Sequence, residues 1–310
     1  MSDQSTLSGP SSTPAPSLPL SGHVWINGSL MPAEHAAVSV LDHGLLYGDG
    51  CFEGIRVYNG RIFKLRTHLE RMKQSAELLH LDPPYSIDEL EQAIRETVAA
   101  NDIQNGYIRL VFSRGIGTLG LNPFSCQTPQ AIIIAATISL YPESMYVEGM
   151  PIVVADRPRI PIACLDPRIK SLNYLNNILS KVEAINAGVL EALMLNIEGD
   201  VAECTGDNIF IVKDGTICTP HTDAGILHGV TRAFVISDIA PSLGYHVEER
   251  QIKLPEVLAA DEVFLTGTAA EIIGVNRIGE TELSGGQVGA VTLAMNEAFR
   301  SRVRADAPED

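Results

Sequence analysis

The chain of 310 residues is long enough for two ordinary domains, and with 45% hydrophobic and 19% charged residues it can bury a substantial core. Its formal net charge of −16 would repel a polyanion over most of the surface, so we expect no nucleic-acid partner. No apolar run reaches the roughly 18 residues that a membrane span requires, so we expect no membrane insertion.

The first residues and the cysteines indicate where the protein works. Residues 1–21 are rich in Ser, Thr and Pro and lack the basic and apolar regions of a secretory signal, so they are predicted to be a disordered tail. Five scattered cysteines without a C-x-x-C pair favour reduced thiols in the cytoplasm over a disulfide framework. The eight histidines show no ligand spacing, and no metal site is expected.

Residues 22–137 alternate between strand and helix patterns and are predicted to form a small α/β N-terminal domain. The segment HVWINGSLMP, from His23, predicts two strands joined by an Asn-Gly turn, and a second hairpin of this kind is predicted at 51–63. Apolar residues at helical or alternating spacing predict the other elements, which are helices through 69–79 and 90–98 and strands over 107–112 and 131–136.

Residues 138–149 have no clear period and are the predicted interdomain linker. Residues 150–303 are predicted to form a larger C-terminal α/β domain, and 304–310 a frayed acidic tail. Because strands and helices mix without regular βαβ alternation, we predict an α+β fold. The elements predicted here are strands over 151–155, 192–196, 208–212, 246–250 and 262–266 and helices over 173–187, 231–241 and 287–300.

The loop Gly115-Ile-Gly117-Thr-Leu-Gly120 matches the glycine pattern of dinucleotide-binding proteins. Asn122-Pro123 follows it directly, where that fold needs a helix to receive the pyrophosphate. We therefore expect no nicotinamide site.

Lys170 is the lysine with the most unusual surroundings. It ends a loop with three prolines, residues 157–169, and precedes a predicted helix. A rigid loop can keep an amine desolvated and partly neutral, which a Schiff-base nucleophile requires. From the residues alone, a solvated surface lysine remains the alternative.

Five segments, in order along the chain, resemble motifs of the fold-type IV (class IV) aminotransferases. IKSLNYLNNILSKVEA (169–184) is similar to their cofactor-lysine segment, and VAECTGDNIFIVKDGTICTP (201–220) to their E-x-x-x-x-N-x-F segment. ILHGVTR (226–232) and VFLTGTAAEI (263–272) resemble their two phosphate-side turns, and FEGIRVYNGRIFKLRTHLERM (52–72) resembles a segment of their N-terminal domain. The resemblance implies a two-domain fold like that of D-amino-acid aminotransferase, with pyridoxal 5′-phosphate (PLP) as the cofactor.

The resemblance also assigns roles to residues around the cofactor. Lys170 would hold PLP as an internal aldimine and, once displaced, would carry the proton between the substrate Cα and the cofactor C4′. Glu203 would keep the pyridine nitrogen protonated, and Tyr174 would hydrogen-bond the phenolate oxygen. A guanidinium and a helix start suit a phosphate dianion. The remaining implied contacts are Arg71, Gly229, Val230, Thr231 and Thr268 at the phosphate and Leu227 against the ring.

A further set resembles the substrate pocket of the branched-chain amino acid aminotransferases. Aromatic walls would take the side chain of leucine, isoleucine or valine, and an arginine would pair with the second carboxylate of 2-oxoglutarate. The loop after the predicted strand 107–112 of the small domain would cross to a neighbouring subunit, which implies a homodimer or a higher homo-oligomer. The implied substrate residues are Tyr47, Phe52, Gly54, Arg56, Tyr107, Arg109, Leu119, Leu121, Thr268 and Ala269.

Other activities of this fold remain open. The R-x-H carboxylate trap of the D-amino-acid enzymes is absent, although Arg114 could partly replace it. The KSLN segment, with Tyr174 four residues after Lys170, is nevertheless shared with the D-specific group, so a D-amino-acid or (R)-amine transaminase is the alternative. An aminodeoxychorismate lyase is a further one, and its activity would not depend on 2-oxoglutarate.

Overall fold

The computed structural model of the protein describes residues 22–138 and 141–305, in which two β-sheets and their helices make up most of the chain. The predicted disordered tail, 1–21, lies outside the described residues, as does 306–310 of the predicted acidic tail. Strands and helices mix without regular βαβ alternation, so the predicted α+β fold is confirmed. Within the described ranges, no helix is both long and apolar enough to cross a lipid bilayer.

The first sheet is antiparallel, with six strands in the order β2-β1-β6-β5-β3-β4. Both predicted hairpins are confirmed, and Asn27-Gly28 and Asn59-Gly60 adopt the left-handed backbone that their tight turns require. The strands are β1 (His23–Ile26), β2 (Ser29–Pro32), β3 (Gly50–Tyr58), β4 (Arg61–Ile62), β5 (Gly106–Ser113) and β6 (Gln130–Ala136).

Alternation along β3 assigns its side chains to the two faces of this sheet. Ile55 and its inward-facing neighbours pack with the apolar stripes of helices α2 (Leu65–Leu78) and α3 (Ile87–Ala100) in one core. The opposite face is here called the outer face. Cross-strand pairing places its residues in rows, which are Phe52 with Val111 and Ile132, Gly54 with Arg109 and Ile134, and Arg56 with Tyr107 and Ala136.

The second sheet is mixed and contains nine strands, eight of them in the order β12-β11-β10-β13-β14-β7-β8-β9, with β15 paired to β14. Stacked Phe210 and Phe264 lie in the core between this sheet and the C-terminal helix. The strands are β7 (Met150–Val154), β8 (Glu191–Leu195), β9 (Val201–Cys204), β10 (Asn208–Lys213), β11 (Thr216–Pro220), β12 (Val247–Arg250), β13 (Glu262–Gly267), β14 (Glu271–Ile278) and β15 (Thr281–Glu282).

Several element predictions need correction. Glu203 precedes the apolar strand predicted at 208–212, but it lies itself in a short strand, β9, that was not predicted. Strands β11 and β14 were not predicted; β14 contains Gly274 and Asn276, which interrupt the alternating pattern. A short helix, α1 (His43–Tyr47), also has no counterpart among the predicted elements.

The other helices lie near their predicted positions. Helix α5 (Leu175–Asn186) begins two residues later than predicted, and the helix predicted at 231–241 is a continuous run of α6 (Val230–Phe234), a π-helical turn (Val235–Ile239) and α7 (Ala240–Ser242). The predicted linker contains α4 (Ser144–Glu148). After α8 (Leu254–Leu258), helix α9 (Ala290–Arg304) begins later and ends later than predicted, so Arg304 is helical rather than frayed. The domain limits stay a prediction.

Candidate active site

A cavity of about 310 Å³ lies between the outer face of the first sheet and the loops of the second sheet. Both sheets contribute walls, so the site exists only when the two halves of the chain are packed together. Eleven of the sequence-predicted site residues line the cavity, and they are Gly54, Arg71, Tyr107, Lys170, Tyr174, Leu227, Gly229, Val230, Thr231, Thr268 and Ala269.

Lys170 is held in this cavity by backbone pairing with strand β3. The Phe52 amide donates to the Lys170 carbonyl at 2.9 Å, and the Leu172 amide donates to the Gly50 carbonyl at 2.9 Å. The Lys170 Nζ lies 3.1 Å from the Tyr174 hydroxyl and 4.8 Å from the centre of the Phe52 ring. The amine therefore stands between two aromatic side chains at the junction of the two sheets.

Arg71 projects from α2 into the cavity wall and is fixed by a buried carboxylate. The Glu53 carboxylate accepts from Arg71 Nε at 2.7 Å and from Nη2 at 2.8 Å, and His68 Nδ1 lies 2.7 Å from the same carboxylate. Burial alone would raise the pKa of Glu53, but Arg71 and His68 outweigh it and hold this pKa far below its usual range. Arg71 Nη1 also donates to the His228 carbonyl at 2.8 Å, which ties it to the loop before α6.

The opposite wall carries polar groups suited to an anion. Gly229 is the N-cap of α6, and the helix run from Val230 to Ser242 directs its free amides and the positive end of its dipole towards the cavity. Thr266 also lines the cavity, and its hydroxyl is buried without a hydrogen-bond partner among the described residues. An unpaired buried hydroxyl is costly unless a ligand completes it.

Glu203 lies behind the cavity wall and is hydrogen-bonded to two of the residues that line it, Leu227 and Asn208. Its Oε2 accepts from the Leu227 amide at 3.0 Å and from Asn208 Nδ2 at 3.1 Å, and its Oε1 accepts from Arg159 Nε at 2.9 Å. Burial raises the pKa of Glu203, although Arg159, the Leu227 amide and Lys170 act in the opposite direction.

The outer face carries five of the predicted substrate residues, and they are Phe52, Gly54, Arg56, Tyr107 and Arg109. Gly54 leaves room for the Tyr107 ring, because a Cβ at Gly54 would lie 1.8 Å from the Tyr107 hydroxyl oxygen. Arg109 lies over the Phe52 ring, 4.4 Å from its centre, and no carboxylate among the described residues pairs with it. Arg56 differs, since its guanidinium lies 3.6 Å from the Glu271 carboxylate. It is thus engaged by the second sheet.

Six predicted substrate residues do not line the cavity of this chain, and they are Phe52, Arg56 and Arg109, which lie on the outer face beside it, and Tyr47, Leu119 and Leu121. Tyr47 lies at the end of α1, and Leu119 and Leu121 are 75% and 80% exposed in the loop after β5. Arg114, considered as a replacement for a carboxylate trap, is buried; its guanidinium pairs with Asp49 and donates to the Leu79 and His80 carbonyls. All three guanidinium nitrogens of Arg114 are engaged by these partners, and Arg114 does not line the cavity, so the structure gives that interpretation no support.

Sequence reasoning missed several groups that shape the site. Glu53 could have been recognised from the sequence, because it is a charged residue at an inward-facing position of a predicted strand. Arg159, Thr266 and Asp207 carried none, since their roles depend on contacts with residues distant in sequence. In the described part of the chain, no three His, Cys, Asp or Glu side chains are grouped so as to hold a metal ion.

Comparisons with known proteins agree with this geometry. Residues 50–278 match the family model described as amino-transferase class IV. A putative branched-chain-amino-acid aminotransferase of Methanocaldococcus jannaschii is 43% identical over 277 residues, which cover 89% of this chain and 95% of that protein. The crystal structure of the Escherichia coli branched-chain amino acid aminotransferase superposes with a TM-score of 0.89 at 32% identity, covering 93% of this chain and 96% of that one.

Solved structures that contain a cofactor or a ligand are also similar to this chain. The branched-chain amino acid aminotransferase from Thermobaculum terrenum, in its PLP-form, superposes with a TM-score of 0.83 at 34% identity, covering 91% of this chain and 94% of that one. Another branched-chain amino acid aminotransferase, 37% identical to this chain, has been solved with pyridoxamine 5′-phosphate, with N-(5′-phosphopyridoxyl)-L-glutamate and with 4-methylvaleric acid.

We predict that Glu53→Gln destabilises the protein, because Arg71 then loses its carboxylate partner in a buried setting. Removing one member of a buried ion pair costs about 3–5 kcal/mol of unfolding free energy. Urea denaturation at neutral pH measures the change. Glu77→Gln is the control, since Glu77 is an exposed carboxylate on α2, the helix of Arg71, and should change stability by less than about 0.5 kcal/mol. Equal changes in the two variants would contradict the prediction.

Proposed function

The chain belongs to the class IV aminotransferase family, and from that premise we propose that it exchanges amino groups between branched-chain L-amino acids and 2-oxoglutarate, with PLP as cofactor. The observation that carries the proposal is the meeting of three groups in one cavity. The Lys170 amine, the Arg71 guanidinium and the Thr268 turn all line it, beside an outer face with aromatic rings and Arg109. A cytoplasmic location stays a prediction from the cysteine pattern.

The residues present fit PLP. Arg71 and the amides at the start of α6 would bind the phosphate, and the unpartnered Thr266 hydroxyl indicates that a polar group completes this wall. Leu227 offers an apolar side chain for the ring face, and Glu203, which lies behind the wall and accepts from the Leu227 amide, would pair with the pyridine nitrogen. When bound, PLP supplies an electron-accepting ring that stabilises negative charge at the substrate Cα.

The chain's own residues then position the substrate and move one proton. Lys170, with its amine free, would take the proton from the substrate Cα and return it to the cofactor C4′. The other lysine that lines the cavity, Lys181, is paired with Glu191. Tyr174, 3.1 Å from the amine, keeps it oriented by a hydrogen bond. Thr268 and Ala269 offer a hydroxyl and backbone amides for the substrate carboxylate.

Substrate choice would depend on the outer face. Phe52 and Tyr107 present aromatic surface for an aliphatic side chain, while Arg109 presents a cation without a carboxylate partner among the described residues. One pocket can therefore accept an apolar donor and a dicarboxylate acceptor in turn. Arg56 would act indirectly, through its ion pair with Glu271.

One observation still favours the D-amino-acid alternative. Tyr174 lies four residues after Lys170, as in the D-specific group, and the two side chains are in direct contact. The burial of Arg114 in its pair with Asp49 argues against its use as a replacement for the carboxylate trap that this alternative would need. A panel of amino donors of both hands with 2-oxoglutarate distinguishes these activities, and turnover without 2-oxoglutarate would favour the lyase.

We predict that borohydride reduction of the holoenzyme fixes the cofactor covalently to Lys170, as peptide mapping would show. Lys170→Ala should lose transamination by orders of magnitude, since covalent anchoring and proton transfer fail together. Lys73→Ala, at an exposed position of α2, is the control and should retain activity. A label on Lys181 or Lys213 would rule out the assignment.

We predict that Arg109→Ala damages the half-reaction of glutamate and 2-oxoglutarate more than that of leucine. A charge-assisted pair with the second carboxylate is worth about 1.5–3 kcal/mol, or roughly a tenfold to hundredfold effect on rate. Single-turnover measurements that follow the cofactor's absorbance separate the two half-reactions. Equal damage to both would mean that Arg109 serves the carboxylate common to all substrates, or only the fold.

We predict a homodimer, or a higher homo-oligomer, in which Leu119 and Leu121 line the active site of the neighbouring subunit. Burial of two exposed leucines in an interface is favourable, and Leu121→Glu should weaken both association and activity. Analytical ultracentrifugation measures the association. Ile197→Glu, at an exposed apolar position elsewhere on the second half, is the control. Full activity of a monomer at assay dilution would contradict this assembly.

A further inference from the structure

Asp207 lies in the turn between β9 and β10 and forms part of the cavity wall, yet neither the predicted cofactor set nor the predicted substrate set contains it. The residue is 7% exposed. It lies against the turn that carries Thr268 and Ala269, because a Cβ built on Gly267 would be only 1.9 Å from its Oδ1. A carboxyl group thus stands beside the turn proposed to receive the substrate carboxylate.

The surroundings of Asp207 do not suit an ionised carboxylate. Its only side-chain hydrogen bond among the described residues is a long one, 3.5 Å from the Tyr141 hydroxyl. The nearby donors serve Glu191 instead, which accepts from Lys181 Nζ at 3.0 Å, from the Thr205 amide at 2.9 Å and from the Thr205 hydroxyl. A buried carboxylate with a single weak donor is poorly compensated for its lost hydration, which favours its protonated form.

Charges on the neighbouring elements act in both directions. Burial, followed by the charge of Glu191 on β8, raises the pKa of Asp207 to about 7. Lys181 on α5, the Tyr141 hydroxyl before α4 and Lys170 before α5 oppose this rise. The thiol of Cys204, the other titratable group here, is buried and has a raised pKa, so it adds no charge. Near neutral pH, both protonation states of Asp207 are therefore accessible.

We propose that Asp207 is a positioning residue of the substrate site, and that its carboxyl group must be protonated when a substrate carboxylate lies against the 267–269 turn. The inference rests on the proposed function. A carboxylate bound at this turn and an ionised Asp207 would lie against the same few residues and repel each other, so binding of the substrate carboxylate and ionisation of Asp207 exclude one another. Burial favours the neutral form of Asp207, and the charge of Glu191, which has donors of its own, adds to this effect.

The test titrates the PLP-loaded holoenzyme with 4-methylvalerate, an unreactive carboxylate with the carbon skeleton of leucine, by calorimetry between pH 6 and pH 8.5. The wild-type dissociation constant should rise about tenfold for each pH unit above 7, with uptake of one proton from buffer on binding. Asp207→Asn should remove this rise and this uptake. The cofactor's absorbance, recorded in parallel, reports its own protonation, which both proteins share. Asp223→Asn, the same charge change at an exposed position, should behave as wild type.

Glu191→Gln gives a second, independent result, which also serves if Asp207→Asn does not fold. Without the Glu191 charge, the pKa of Asp207 falls, so the rise in the dissociation constant should begin at lower pH. A purely structural role of either residue would change affinity equally at every pH and would overturn the inference, as would a wild-type dissociation constant that is flat with pH. If the holoenzyme binds 4-methylvalerate at no pH, the proposed function fails, and the inference fails with it.

Discussion

Two backbone hydrogen bonds between the Lys170 segment and strand β3 set the geometry on which the rest of the site depends. Strand β4 pairs only with Val57 and Tyr58, so the first half of β3 keeps a free edge, and the lysine segment pairs with that edge. Each bond contributes only about 0.5–1.5 kcal/mol to stability. Their larger effect is on position, because they fix a backbone segment from the second half of the chain against the sheet of the first. Because the backbone of Lys170 is already fixed, only the rotamers of its side chain remain to be ordered when the amine reacts.

Three buried carboxylates around this cavity show how their partners determine their charge. Glu53 receives hydrogen bonds from a guanidinium and an imidazole, and its pKa is lowered. Glu203 receives hydrogen bonds from one arginine, one amide and one carboxamide, yet burial still raises its pKa. Asp207 has one long hydrogen bond and a charged carboxylate as neighbour, and its pKa is raised to about 7. The charge of each group follows the donors that the fold supplies, since burial is similar in all three.

Local sequence signals predicted the parts of the fold that local physics determines. The Asn-Gly turns, the alternation of β3 and the apolar spacing of α2 were sufficient, because turn geometry and side-chain period are properties of neighbouring residues. The strand that contains Glu203 could not be predicted in this way, since it has four residues and depends on pairing with β8. The pairing of Arg159 with Glu203, 44 residues apart, is likewise a product of the folded chain. Motif resemblance named Lys170, but only the structure shows how it is held.

The outer face explains how one pocket could serve two unlike side chains. Strand register places Arg109 in a row between Gly54 and Ile134, so a cation stands on an otherwise apolar and aromatic surface. Contact with the Phe52 and Tyr107 rings stabilises the guanidinium by about 0.5–2 kcal/mol without neutralising it. Arg56, two residues from Gly54 on the same face, is instead neutralised by Glu271. A charged substrate group could therefore pair with Arg109, whereas an aliphatic group would contact the Phe52 and Tyr107 rings that flank this arginine. Selectivity for both donor and acceptor would thus arise from leaving a single arginine of this face without a carboxylate.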